Sequence, residues 1–261
     1  MSIKTALVTG GASGLGYEFA VLLAQDSHHL ILIDIDSDKL NETKNELETK
    51  YSIQVTTLTK DLSIQNISEE IFEEIGNSPI DVLINNAGFG LFGTFAETDW
   101  SREAAMLNLH IMTTTHLTKL VLKGMIERKS GKILNMSSLA GFQPGPLMTI
   151  YYASKAYILS FSEAIANELK GTGVSVTVLC PGQTKTSFQE VVSEKASENK
   201  ISFNMGCPKE VAAYGYQQMN KGKVVVVPGA INKIISQLPR VFPRNMAANI
   251  VRKIQEKNRE D

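Results

Sequence analysis

Seven short runs of apolar and β-branched residues punctuate the chain, at residues 5–9, 30–34, 54–59, 82–85, 132–136, 175–180 and 224–227. They are nearly continuous rather than alternating, which is the pattern of strands buried on both faces. Longer stretches of helical character separate them, at about 17–24, 37–50, 64–75, 101–129 and 152–170. End-to-end alternation of this kind predicts an α/β fold. We expect one domain over residues 1–261, built on a doubly wound parallel sheet of about seven strands with helices on both faces. Two stretches break the rhythm. Residues 187–206 are polar with apolar points at Phe188, Val191, Val192, Ile201 and Phe203, and are expected to form a substrate lid. Residues 230–261 form an extension beyond the last strand.

Composition narrows this picture. The chain has 261 residues, 43 % of them hydrophobic, enough for a sizeable core. The net charge of −1 argues against nucleic acid as a partner. That charge is unevenly spread: residues 231–261 hold seven Lys/Arg against three Asp/Glu, so a basic tail follows an acidic body. Two cysteines, Cys180 and Cys207, make no disulfide framework and suit a reduced, cytoplasmic protein. The four histidines form no HxxxH pair, so no metal site is expected. No run approaches the length of a membrane span, and a strand-like run near the initiator Met leaves no room for a signal peptide.

The first strand runs into Thr9-Gly10-Gly11-Ala12-Ser13-Gly14-Leu15-Gly16, which opens the first helix. Glycines there let the backbone turn tightly against a pyrophosphate, and the helix offers free N–H groups to that anion. Gly10, Ser13, Gly14, Leu15 and Gly16 are therefore candidate cofactor contacts in a Rossmann-type turn. The second strand ends at Asp34, 18 residues after Gly16. A carboxylate at that point accepts hydrogen bonds from ribose hydroxyls and repels a 2′-phosphate. With no Arg or Lys in the glycine loop, NAD is favoured over NADP. Asp36 competes for the same role. Asp61 and Leu62, past the third strand, are placed to meet the adenine.

Tyr151 and Lys155 are four apart and share a helix face. Forming tyrosinate at pH 7 costs about 4 kcal/mol from an ordinary pKa near 10. A neighbouring ammonium lowers that cost, which suits Tyr151 to exchanging a proton with an alcohol or carbonyl oxygen. Taken with the glycine turn, the set Asn85-Asn86-Ala87-Gly88, Asn108, Ser138, Tyr151-xxx-Lys155 and Pro181-Gly182 resembles the short-chain dehydrogenase/reductase family over residues 3–190, in order and spacing. The resemblance implies a catalytic set of Asn108, Ser138, Tyr151 and Lys155. In that set Ser138 orients the reacting oxygen, Asn108 holds a water linking Lys155 to solvent, and Lys155 also holds the nicotinamide ribose. Asn86, Ala87 and Gly88 would border the cofactor. Pro181, Gly182, Thr184 and Thr186 would frame its nicotinamide and phosphates.

The reading implied is hydride transfer between NAD and a secondary alcohol or ketone. The alternatives are an NADP-dependent carbonyl or 3-oxoacyl reductase and a dinucleotide-binding sensor without turnover. Phe89, Leu91, Phe92, Phe142, Pro144, Leu147, Met148, Phe188 and Phe203 are candidate pocket liners and suggest an apolar substrate. The long helices at 101–129 and 152–170 suggest a four-helix contact in a homodimer or homotetramer. The tail interleaves Ile234, Ile235, Leu238, Val241 and Phe242 with Lys233, Arg240 and Arg244. It is expected to pack as a helix, with peripheral membrane contact as the alternative and Pro239 and Pro243 as interruptions.

Overall fold

The computed structural model describes residues 3–76, 78–184, 206–241 and 243–257. Seven parallel strands form one sheet: β1 (Thr5–Thr9), β2 (His29–Asp34), β3 (Val55–Thr59), β4 (Val82–Asn85), β5 (Gly131–Met136), β6 (Val174–Leu179) and β7 (Val225–Val226). Their order is β3-β2-β1-β4-β5-β6-β7. The chain therefore winds outward in one direction from β1 to β3 and in the other from β4 to β7. The crevice where the winding reverses lies beyond the carboxyl ends of β1 and β4.

Alternate residues of each strand feed opposite faces. Ala6 and Val8 of β1 pack with Phe19, Ala20 and Leu23 of α1 (Gly14–Gln25), Leu40 and Leu47 of α2 (Ser37–Tyr51), and Val211 and Met219 of α7 (Pro208–Asn220). Leu7 points the other way, among Ile67 and Ile71 of α3 (Ile67–Ile75) and Leu117, Val121 and Met125 of α5 (Thr114–Glu127). A third cluster seats Ile158 and Leu159 of α6 (Thr149–Glu168) on Val178, Cys180 and Val227. Both faces are thus covered, which is why the strands read as unbroken apolar runs.

Three expectations change. The helix expected over 101–129 is two helices, α4 (Trp100–Leu107) and α5, joined by a π turn at Asn108–Thr113. Thr114 Oγ1 donates to Leu109 O, five residues back, at 3.3 Å. Such a turn inserts one residue and rotates the helix before it relative to the helix after it. Secondly, α7 was not expected; of its residues only Val211, Ala212, Gly215 and Met219 are buried. Thirdly, the tail forms α8 (Ala230–Val241) and α9 (Arg244–Lys257), and Pro239 lies inside α8. Near the helix end Pro239 removes one backbone donor without ending the helix. The break falls at Pro243.

Candidate active site

Every strand delivers its loop to the same edge of the sheet, and there the loops enclose a cleft of about 1080 Å³. Gly10, Ser13, Gly14, Leu15, Asp34, Asp61, Leu62, Asn86, Ala87, Gly88, Ser138, Tyr151, Lys155, Pro181, Gly182 and Thr184 all line it. Gly16 lies just behind the wall. Thr186, Phe188, Phe203 and the expected lid up to residue 205 lie outside the described residues.

The glycine turn is shaped by close packing. A Cβ on Gly16 would sit 1.8 Å from Gly10 O, so no side chain fits. Gly10 has φ +65°, a conformation glycine adopts at little cost. Asn86 holds the turn from the β4 side, its Nδ2 donating to Thr9 O at 3.1 Å and Gly10 O at 3.2 Å. Thr9 Oγ1 accepts from the N–H of Asn86 and of Ala87, both at 3.0 Å. This leaves a backbone cradle at the start of α1, which fits the pyrophosphate of a dinucleotide. At the far end Asp34 is anchored through its carboxylate, which accepts from Ala12 N at 3.0 Å and Ile35 N at 2.8 Å. Asp36 caps α2 by accepting from Lys39 N at 3.1 Å, so it has another task. Lys39 and Lys60 also line this end, Lys39 paired with Asp36 and Lys60 with Glu70 and Glu74.

The other end of the cleft holds Ser138, Tyr151 and Lys155. Ser138 follows β5 and caps a short 3₁₀ turn at Leu139–Phe142, its Oγ accepting from Ala140 N at 3.1 Å. Ser137 Oγ donates to Lys155 O at 2.8 Å, and Lys155 Nζ donates to Met136 O at 3.0 Å. These two bonds fasten α6 to the end of β5. The Lys155 Nζ lies 5.7 Å from the centre of the Tyr151 ring. Burial pushes the Tyr151 hydroxyl up to about 12, and a hydrogen bond with the Ser138 side chain pulls it partly back. Burial brings Lys155 down to about 8. The sequence suggested that Lys155 would lower Tyr151. Here burial raises it instead, with the Ser138 hydrogen bond as the opposing influence, and Tyr151 is a phenol at neutral pH.

Asn108 is not part of this group. It lines a separate groove of about 460 Å³ with Gln65, Met112, His116 and Tyr157. The π turn brings His110 to the cleft side instead. His110 is 1 % exposed, and a Cβ on Gly88 would meet its Nε2 at 2.7 Å. Its tautomer is set by its partners. Ser154 Oγ donates its one hydrogen to Tyr151 O at 2.8 Å, so in the 2.9 Å contact with His110 Nδ1 it must accept. His110 Nε2 accepts from Phe89 N at 3.2 Å. The ring is neutral with its proton on Nδ1, and burial together with the Lys155 charge holds its pKa well below the usual value. His110 thereby joins the Gly88–Phe89 loop to the α6 turn that carries Tyr151 and Lys155. Only the extra residue of the π turn selects it, and the sequence pattern carries no mark of that.

Of the pocket candidates, Phe89 and Met148 line the cleft, whereas Phe142 packs against the α6 core cluster. Arg102, Leu139, Gln143, Tyr152, Ile235 and Gln255 line it as well and were not expected. Among the described residues no group of His, Cys, Asp and Glu could hold a metal ion.

A parallel sheet with a glycine cradle at one end of its crevice and a Ser–Tyr–Lys group at the other is the arrangement of a nicotinamide-dependent oxidoreductase. The chain belongs to the short-chain dehydrogenase family, whose model matches residues 4–197. It is 32 % identical over 236 residues to the very-long-chain 3-oxoacyl-CoA reductase of Mus musculus, covering 88 % of this chain and 75 % of that one. Its fold is similar to a short-chain dehydrogenase from Sphingobium yanoikuyae in complex with NADPH, with TM-score 0.80, 24 % identity, and coverage of 95 % and 100 %. It is likewise similar to a short-chain dehydrogenase/reductase from Burkholderia phymatum in complex with NAD, with TM-score 0.79, 23 % identity, and coverage of 92 % and 94 %. The chain is an NAD(P)-dependent oxidoreductase acting on the C=O/CH–OH pair.

Proposed function

We propose that this chain reduces the ketone of an apolar 3-oxoacyl thioester to the secondary alcohol, with NADH as the favoured reductant. The observation that carries this reading is the meeting of Ser138, Tyr151 and Lys155 at one end of the cleft, with the Lys155 Nζ 5.7 Å from the centre of the Tyr151 ring. The Tyr151 hydroxyl is protonated at neutral pH, as an ordinary phenol is, and burial raises it further while its hydrogen bond with the Ser138 side chain holds it in place. That is the form a carbonyl reduction needs, because the reacting oxygen must gain a proton. The reduced nicotinamide supplies the hydride that adds to the carbonyl carbon. Ser138 orients the carbonyl oxygen, Tyr151 donates its proton to that oxygen, and cationic Lys155 stabilises the tyrosinate left behind. Lys155, with the glycine cradle and Asn86–Gly88, also fixes the cofactor. His110 positions the loop and helix that meet at the reacting centre.

The substrate class draws on the 3-oxoacyl-CoA reductase relative. Phe89, Leu139, Met148 and Ile235 give the cleft apolar wall on which an acyl chain can lie. The cofactor choice rests on Asp34, whose carboxylate would face a ribose 2′-hydroxyl and repel a phosphate there. The test is a panel of 3-oxoacyl thioesters and simple ketones of increasing chain length, each with NADH and NADPH. Rising kcat/KM with acyl length is expected, with NADH preferred. Turnover of small polar ketones in preference to every thioester would overturn the substrate class, and preference for NADPH would overturn the cofactor.

A further inference from the structure

Amphipathic surface helices ordinarily turn their apolar stripe to the core. In α8 this is reversed. Ile231, Ile234, Ile235, Leu238 and Val241 fall at i, i+3, i+4, i+7 and i+10, the spacing of one face, and all are exposed, Ile234 by 64 % and Val241 by 79 %. The face turned to the protein is polar: Ser236 is the helix's buried residue, and Asn232 is half-buried with its Nδ2 donating to Pro228 O at 2.8 Å. In α9, Ala247 and Val251 are buried, yet Met246, Ile250 and Ile254 at i, i+4 and i+8 stand exposed. These two helices hold eight of the eighteen exposed large apolar side chains of the described residues. Such a concentration marks an interaction surface.

Charge decides the occupant. Residues 230–257 contain six cations, Lys233, Arg240, Arg244, Arg252, Lys253 and Lys257, and one acid, Glu256, which is paired with Arg252 at 2.8 Å. A second copy of this surface would bring like charges together. Residues 185–205 of the chain carry three lysines and three glutamates, so they would leave the cations uncompensated. An anionic bilayer surface satisfies both features, taking the isoleucines below its headgroups and the lysines and arginines among its phosphates.

We propose that α8 and α9 dock the protein on anionic membrane surfaces. Ile235 of α8 and Gln255 of α9 both line the cleft, so docking places the cleft mouth beside the lipid. The docking surface shares Ile235 with the cleft wall proposed above, but its test is independent of that substrate, because binding to lipid is read without turnover.

The test is co-sedimentation of the full chain with extruded vesicles of phosphatidylcholine alone or mixed with phosphatidylglycerol. We expect partitioning onto the mixed vesicles to exceed that onto phosphatidylcholine by about tenfold or more, and to fall as salt rises. Ile234→Asp with Leu238→Asp should remove it while the melting curve is unchanged, since both side chains are exposed. Should that variant fold poorly, Lys253→Glu with Lys257→Glu should abolish the preference for anionic lipid. Absence of partitioning, or partitioning indifferent to these substitutions, overturns the proposal. So does self-association in lipid-free ultracentrifugation that Ile234→Asp with Leu238→Asp abolishes, because a second copy would then cover the face.

Discussion

At the floor of the cleft Lys155 is 5 % exposed and His110, packed behind Gly88, is 1 % exposed, while in α8 Ile234 and Val241 are 64 % and 79 % exposed. One region hides polar groups and the other displays apolar ones. The two differ in how the departure is supported. Lys155 is tied to Met136 O, Ser137 reaches Lys155 O, and His110 has a partner on each ring nitrogen. Buried polarity is tolerable there because nearly every donor and acceptor is matched. The apolar face of α8 has no such internal support, and its polar side is what the protein retains. A matched polar floor points to chemistry done within the chain. An apolar face left outward points to something beyond the chain.

The largest effect should come from the floor. Tyr151→Phe removes the proton donor and should lower kcat by about 10²–10⁴ without changing the melting temperature. A loss under about tenfold in steady-state assays would mean that another group supplies the proton. Next is Gly16→Ala, whose Cβ would fall 1.8 Å from Gly10 O. Calorimetry should show cofactor affinity reduced by at least about 100-fold, a size set by loss of the pyrophosphate cradle. Retained affinity would show that the cradle is not where the cofactor binds.

Lys155 yields a pH dependence. Its folded value of about 8 lies below the unfolded 10.5, so burial of the ammonium opposes folding below pH 8. That opposition is relieved as pH rises from about 8 toward 10.5. If the cation holds the cofactor, kcat/KM for NADH falls as pH rises through about 8, because that ratio reports the free protein. Lys155→Arg stays charged and should lose this limb. Its persistence would assign the ionisation to another group.

The smallest predicted changes separate His110 from Asn108. His110→Phe leaves the Phe89 N–H and the Ser154 hydroxyl poorly matched, and should destabilise by about 1–3 kcal/mol, lowering the melting temperature by several degrees. Asn108→Ala, in a different groove, should change kcat by less than about twofold, as surface substitutions away from a site usually do. The reverse ranking in melting and kinetic measurements would place Asn108, not His110, beside the reacting centre.

Much of the fold was legible because strands buried on both faces must be apolar throughout. The expected runs at 5–9 and 82–85 coincide with β1 and β4, and the others differ from their strands by one residue at one or both ends. β7 was the most shortened, to Val225–Val226. Helix α7 escaped because a glycine, Gly215, stands at the middle of its buried row between Val211 and Met219 and interrupts the apolar signal. In the site, the glycine turn, Asp34, Tyr151 and Lys155 were legible because each chemistry demands a residue type at a strand end or on one helix face, whereas Ser138 was set apart from its neighbour Ser137 only by the family spacing. The structure brings them to one cleft. The π turn was not legible: no residue type encodes an extra residue per turn, and that turn decides whether position 108 or 110 faces Lys155. The outward apolar face of α8 was also hidden, since a stripe in sequence does not say which side the protein keeps.

The most direct test of the central claim is a single turnover with nicotinamide cofactor deuterated at C4 and a long-chain 3-oxoacyl thioester, with the product read by mass spectrometry and NMR. The account predicts a 3-hydroxyacyl product with deuterium on carbon 3, formed by wild type and slowed by Tyr151→Phe. Cofactor that binds tightly in the cleft yet transfers no deuterium to any carbonyl in the panel would contradict it, and would leave a dinucleotide-binding protein without turnover.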